Sequence, residues 1–373
     1  MKAKRIIISG GGTGGHIFPA ISIANALKRL DPECEILFVG ASGRMEMERV
    51  PAAGYKIVGL PVAGLKRSLS LSNLKVPYMY VKSILMANKI IDDLRPHAAV
   101  GVGGYASAPL LKSASSKQVP YLIQEQNSYA GVTNKMLAKK AQKICVAYEG
   151  MEKFFPKEKI IITGNPVRST IKRATEQEKR AAKTLFGFKQ EQPVLLVVGG
   201  SLGSGTLNKT LQNWIVKNRQ VQIGIIWQYG RYYKSQVESF NRENPRENIL
   251  AKEFISNIDQ ALSAADVVVS RAGAGTISEL CIAGKATIFV PSPNVAEDHQ
   301  TSNAMALVNK GCALVVADKD ANAILMDKAA ELLENKERIE QLESSIMKMA
   351  LYESDIKIAK EVLQLCNLKK GGN

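Results

Sequence analysis

Five glycines and a histidine crowd one turn near the start of this chain: Gly10-Gly11-Gly12-Thr13-Gly14-Gly15-His16. Glycine backbone reaches φ > 0 without strain and lets bare N–H groups approach an anion. A helix starting behind the turn would add roughly half a positive charge at its N-terminus. The expected chemistry is a phosphate cradle over Gly10–Gly15. His16 stands at its lip, where an imidazole of unperturbed pKa near ~6.5 suits proton transfer. Gly10, Gly12 and Gly15 also match the dinucleotide fingerprint G-x-G-x-x-G, which asks for an acid at the tip of the next strand. That tip reads Gly40-Ala41-Ser42-Gly43-Arg44, with no carboxylate. Arg44 keeps an NADP-dependent oxidoreductase open as an alternative, and a glycine turn without a ligand is another.

A second constellation runs from Asp266 through Ser270, Arg271 and Gly273 to Glu279. A buried strand gives way to small residues there. A helix starts near Gly275 and Thr276, and its first N–H groups again favour an anion. Glu279 falls within about the first turn, where a carboxylate can accept two hydrogen bonds from a ribose diol. An ordinary acid near a helix N-terminus is the plainer alternative. Downstream, the proline-locked loop from Val290 is crowded with polar groups fit to read sugar hydroxyls, and Gln300 opens a helix behind it. His299 reads as a surface or structural histidine.

In the first half, Gly103-Gly104-Tyr105 and Glu125-Gln126-Asn127 each follow a strand, on the side of His16. Gly164-Asn165-Pro166-Val167-Arg168 reads as a rigid hinge followed by an arginine, or as a plain turn with a solvated one. Asp318 and Asp320 form a D-x-D that reads as a helix cap, not a metal site.

These groups need elements to hold them. Strand patterns at 6–9, 36–39, 98–102, 121–123 and 143–146 alternate with helical patterns at 17–30, 45–52, 77–94 and 128–138. After a polar stretch at 168–192 the plan repeats. Strands at 194–198, 222–227, 267–270, 287–290 and 313–316 alternate with helices near 206–216, 275–283, 301–309 and 321–333. Such alternation implies parallel sheets with helices on both faces. The expected fold class is α/β, as two Rossmann-like domains, 1–164 and 165–351, facing across a cleft at the carboxyl ends of their strands. A last helical pattern within 352–367 is expected to pack back on the first domain.

Composition narrows the setting. At 373 residues two domains are favoured over one. The apolar part of the N-terminus is too short for a signal peptide, and no run approaches the ~18–20 apolar residues of a membrane span. Cys34, Cys145, Cys281, Cys312 and Cys366 are far apart, and read as buried thiols in a reducing, cytoplasmic setting. The net charge is +16, and between Pro61 and Tyr148 twelve Lys and Arg face only Asp92, Asp93 and Glu125. Such a patch attracts an anionic surface. No nucleic-acid-binding motif accompanies it. Lys66 and Arg67 are followed by Leu69, Leu71 and Leu74. On the helix from Pro77, Tyr78, Lys82, Leu85 and Lys89 fall on one outward stripe, which suits a phospholipid interface. A solvated basic face is the alternative.

The assembled blocks Gly11–His16, Gly103–Ser107, Glu125–Asn127, Gly164–Arg168, Gly199–Ser201 and Ser270–Glu279 come in the order found in the MurG family. The chain resembles these bacterial N-acetylglucosaminyltransferases of peptidoglycan synthesis over essentially its whole length. The resemblance implies the GT-B architecture. It also implies inverting, metal-independent transfer of N-acetylglucosamine from UDP-N-acetylglucosamine (UDP-GlcNAc) to the 4-hydroxyl of a lipid-linked muramyl-pentapeptide, without a cofactor. Work of that kind belongs at the cytoplasmic face of the cell membrane, held peripherally. Residue by residue, it implies substrate contacts at Thr13, Gly14, Gly15, Tyr105, Asn127, Arg168, Ser201, Ile255, Ala274, Gly275, Thr276, Ile277, Ser278, Glu279 and Gln300. Ile255 would meet uracil through its backbone. His16 is the expected base and Glu125 the alternative. The chain departs from the family pattern at Gln124, where many relatives carry histidine, and at Thr301, where some carry a second glutamine. A UDP-sugar epimerase or a diacylglycerol glycosyltransferase would share much of the second half.

Overall fold

The computed structural model describes residues 3–62, 75–295 and 298–368. The chain forms two compact units. One ends at Val167 and is completed by the segment from Tyr352 onward; the other spans Arg168–Leu351.

In the first unit, β1 (Arg5–Gly10), β2 (Glu35–Ala41), β3 (Lys56–Leu60), β4 (Ala98–Gly103), β5 (Tyr121–Glu125), β6 (Lys143–Val146) and β7 (Ile160–Ile162) form one sheet. Its order is β3-β2-β1-β4-β5-β6-β7, and each recorded pair is parallel. Helices α1 (Gly14–Leu30), α2 (Glu46–Ala52), α3 (Lys75–Leu94), α4 (Ser107–Ser116) and α5 (Val132–Ala138) connect the strands. Ile6, Ile7 and Ile8 are all fully buried. A parallel strand covered on both faces demands such a continuous β-branched run. Ile6 and Ile8 pack with Ala20, Ile23 and Leu27 of α1, while Ile7 packs with Leu110 and Leu111 of α4 on the other face.

The second unit contains α6 (Glu176–Leu185), β8 (Val194–Val198), α7 (Gly205–Lys217), β9 (Gly224–Gln228), α8 (Lys234–Glu243), β10 (Ile249–Lys252) and α9 (Ile258–Ala264). It continues with β11 (Val267–Ser270), α10 (Ala274–Ala283), β12 (Ala286–Phe289), α11 (His299–Val308), β13 (Leu314–Val315), α12 (Ala321–Glu334) and α13 (Lys336–Met347). Its sheet, again parallel, is ordered β10-β9-β8-β11-β12-β13. Trp227 fills its core, with the indole Nε1–H donating to Asn208 Oδ1 at 3.0 Å. The last helix, α14 (Ser354–Cys366), belongs to the first unit, where Ile358, Ala359, Val362 and Leu365 join the α1 layer.

Three strands lie outside the sequence expectation: β3, β7 and β10. Each is a sheet edge, where a strand is short and half-exposed and the apolar pattern fades. The polar stretch at 168–192 hides α6. Thr175 accepts the Glu178 N–H while the Glu178 carboxylate accepts the Thr175 N–H, a full capping box. Only Ala182 and Lys183 of that helix are buried, so an apolar stripe barely exists to be read.

In each sheet the strand order reverses once, between β1 and β4 and between β8 and β11. Ligands of open α/β sheets bind outside the carboxyl ends of the strands at such a point. Both glycine-rich turns stand there.

Candidate active site

At the first switch point the turns after β1 and β4 lie against each other. The Gly11 N–H donates to Gly103 O at 3.3 Å, and a Cβ on Gly104 (φ +92°) would come within 2.3 Å of Gly11 O. His16 Nδ1 lies 3.2 Å from Gly11 O and 3.4 Å from Thr13 Oγ1. A carbonyl only accepts, so the proton is assigned to Nδ1, and Nε2 carries the lone pair. The Nε2 edge of the ring lies on Gly103, where a Cβ would sit 2.7 Å from that nitrogen. The exposed Tyr105 has its ring over Gly12.

Beneath the turn is a carboxylate that the sequence reading missed. Glu46, the first residue of α2, is fully buried. Its Oε2 accepts the Gly12 N–H and its Oε1 the Ala41 N–H, both at 2.9 Å. This corrects the expectation of an open cradle along Gly10–Gly15. Gly11 and Gly12 spend their N–H groups inside the protein. The N–H groups that suit a ligand are those of Gly14 and Gly15, which open α1 and have no carbonyl one turn behind them.

Glu125 is 2% exposed and already serves four donors. Its Oε1 accepts from Asn127 N (3.0 Å) and Asn127 Nδ2 (3.3 Å), and its Oε2 from Gly131 N (3.0 Å) and Asn134 Nδ2 (2.9 Å). A base needs a lone pair for the incoming proton. The geometry therefore makes Glu125 the residue that holds Asn127 and the start of α5, and counts against its role as the alternative base.

At the second switch point Arg271 joins three loops. Its Nη2 donates to Ser204 Oγ at 2.6 Å, and its Nη1 to Val290 O, Pro291 O and, at 2.5 Å, Asp318 Oδ1. Ser204 caps α7 through the Leu207 N–H. Asp318 also accepts from Thr206 Oγ1, so this aspartate is a structural partner of Arg271.

The small residues after Arg271 open α10, whose first turn carries no acid. Glu279 lies one turn further on and accepts from Arg168 Nε at 2.9 Å. Burial pushes the Glu279 carboxyl above its usual range, and Arg168 holds part of that shift back. Gln300 Oε1 accepts the Ser292 N–H at 2.9 Å, and Thr301 Oγ1 donates to Asp298 Oδ1. Ile255 is buried and donates its N–H to Gln228 Oε1 at 2.9 Å. Ser201 is exposed, and its carbonyl accepts the Arg231 N–H.

Two family models divide the chain: the glycosyltransferase family 28 N-terminal domain matches residues 6–146, and the C-terminal domain matches residues 194–360. The UDP-N-acetylglucosamine–N-acetylmuramyl-(pentapeptide) pyrophosphoryl-undecaprenol N-acetylglucosamine transferase of Parabacteroides distasonis is 54% identical over 99% of this chain and 100% of its own length. The enzyme of that name from Bacteroides fragilis is 54% identical over 97% of this chain and 96% of its own. The crystal structure of Acinetobacter baumannii MurG superimposes with a TM-score of 0.77 at 26% identity, covering 97% of this chain and 99% of that one. The chain belongs to the MurG family. It has the two parallel-sheet α/β domains of that family.

Of the residues carried over from the MurG pattern, Thr13, Gly14, Gly15, His16 and Tyr105 meet around the first glycine turn. Asn127 lies at the end of neighbouring β5, tied to Glu125. In the second unit, Arg168 and Glu279 are in contact, and Ala274 through Ser278 open α10. On α3, Tyr78 and Leu85 are 69% and 64% exposed, and Lys82 and Lys89 are exposed beside them. Ser83, Ala87 and Ile91 are buried on the opposite stripe. Lys66 and Arg67 lie outside the described residues. Among those described, no helix is long and apolar enough to cross a membrane.

Proposed function

We propose that this chain transfers N-acetylglucosamine from UDP-GlcNAc to the 4-hydroxyl of undecaprenyl-pyrophosphoryl-N-acetylmuramyl-pentapeptide, the lipid I to lipid II step of peptidoglycan synthesis, with inversion at the sugar. The near full-length identity to enzymes of that name supports the reaction. The observation that carries the mechanism is His16, bonded at Nδ1 to Gly11 O so that Nε2 presents a lone pair.

Nε2 takes the proton of the acceptor hydroxyl as its oxygen attacks the anomeric carbon. The bond from that carbon to the UDP oxygen breaks, and the electron pair leaves with the β-phosphate. The leaving charge needs fixed dipoles and cations. The N–H groups of Gly275 and Thr276 at the start of α10 and the Arg168 guanidinium serve that need. Glu279, oriented by Arg168, accepts from the ribose hydroxyls. Ile255, whose N–H is held by Gln228, offers uracil its carbonyl. Gly14 and Gly15 meet the acceptor pyrophosphate or the donor sugar. Transfer of labelled N-acetylglucosamine from UDP-GlcNAc to a lipid-linked muramyl peptide tests the reading, and no transfer by pure, folded protein would refute it.

The outward stripe of α3 rests on the cytoplasmic face of the membrane. Tyr78 and Leu85 enter the headgroup boundary while Lys82 and Lys89 meet anionic lipid. Reversing Lys82 and Lys89 to Glu removes about 1 kcal/mol or more per site of attraction. Binding to vesicles containing anionic lipid should fall at least tenfold, with turnover on a soluble acceptor analogue retained.

A further inference from the structure

We infer that Glu46 acts as a positioning residue on His16 through the single peptide group between Gly11 and Gly12. The inference rests on the reading of His16 as base. The N–H of that peptide belongs to Gly12 and donates to Glu46 Oε2 at 2.9 Å. Its C=O belongs to Gly11 and lies 3.2 Å from His16 Nδ1. The carboxylate, amide and imidazole thus form one hydrogen-bonded line, running from Glu46 Oε2 through the amide plane to the ring. A negative acceptor on an amide N–H draws electron density toward its carbonyl, and bonds in such a line strengthen one another. The more negative carbonyl holds the proton on Nδ1 and stabilises the imidazolium once Nε2 has taken a second. An aspartate bonded directly to a catalytic histidine works by the same logic; here an amide stands between.

The surroundings preserve this line. Glu46 is fully buried, so its charge is little screened. Gly11 and Gly40 make room for it, since a Cβ on either would lie 2.1 Å from Oε1 or 2.6 Å from Cγ. Other titratable groups around the loop are turned elsewhere. Glu125 of β5 is committed to Asn127, Gly131 and Asn134. Arg44, Glu48 and Arg49 beside Glu46 are exposed, as is Lys112 on α4. Arg5 of β1 is bonded to Arg95 O, and α14 meets α1 at its far end through Arg29 and Asp355. Among the described residues, the Tyr105 ring lies beside the turn at Gly12.

Two measurements on the full chain test this. In the wild-type protein, nitrogen NMR of labelled histidine should find neutral His16 protonated at Nδ1; an Nε2–H tautomer overturns the proposal without any variant. In Glu46→Gln, the His16 titration midpoint should move to lower pH by about half a unit. The acid limb of kcat should follow it, with KM for UDP-GlcNAc unchanged. An unmoved midpoint in folded Glu46→Gln overturns the coupling. A shifted midpoint in an enzyme whose His16→Ala variant keeps wild-type turnover supports the coupling and removes the base reading instead.

Discussion

The two glycine turns share a plan and differ in what lies under them. Gly10–Gly15 follows β1 and Gly199–Gly203 follows β8, each at a switch point, and each precedes a helix. Under the first is a buried carboxylate, Glu46, drawing N–H groups inward. Under the second is a guanidinium, Arg271, bonded to the residue that caps the following helix. One local pattern therefore carries opposite charge. A turn backed by a carboxylate repels a phosphate pressed deep into it and favours a proton acceptor at its rim. A turn backed by an arginine tolerates anions close by. Strand–glycine–helix geometry says where a ligand can stand; the residue beneath decides its charge.

Breaking the first turn at its rim should cost most. His16→Ala is expected to lower turnover on the lipid acceptor by roughly 10²–10⁴-fold, with UDP affinity by calorimetry unchanged. Wild-type turnover would leave the first turn without a chemical role. Breaking it at its floor comes next. Gly11→Ala drives a methyl into the Glu46 carboxylate and should destabilise the first unit by about 2–3 kcal/mol in urea unfolding. Gly15→Ala, with only Thr13 Oγ1 nearby at 3.6 Å, should be close to neutral.

The matched cut in the second turn is Arg271→Met. It strands Asp318 beside three loops and should cost about 2 kcal/mol, since the pair is only partly buried. UDP binding should weaken with it. If affinity and stability both hold, the guanidinium is not what distinguishes the turns. Glu279→Gln should weaken UDP binding about tenfold, or roughly 1.4 kcal/mol, through loss of charge-assisted bonds. The wild-type carboxyl is raised by burial, so it takes up its proton at a higher pH than an ordinary glutamate. Wild-type affinity should therefore decline on acidification before an ordinary carboxylate would titrate, and the Gln variant should lack that decline.

What could be read from sequence was local. Gly10–Gly15 and Gly273–Thr276 announce themselves because turn chemistry is written in neighbouring residues. The isoleucines of β1 announce a buried strand for the same reason. What escaped depends on chain segments meeting after they fold. Glu46 reaches Gly12 across 34 residues, and only because α2 packs against β2 and β3, where Glu46 also accepts the Ala41 N–H. Arg271 reaches Ser204 across 67, and Arg168 reaches Glu279 across 111. Glu125 looked like a base because a carboxylate beside a strand end is chemically competent. Its four donors, two of them in the turn and helix that follow, show it already occupied. The edge strands β3, β7 and β10 carry too little buried surface to imprint a pattern.

The placement of α14 has a consequence for how the molecule is made. Its four buried apolar side chains complete the layer against α1, yet the ribosome delivers them only after all of Arg168–Leu351. The unit synthesised second is contiguous and can close its core as soon as it emerges. The unit synthesised first must wait with an apolar face uncovered. The N-terminal half is therefore the one whose apolar surface stays open to aggregation during translation.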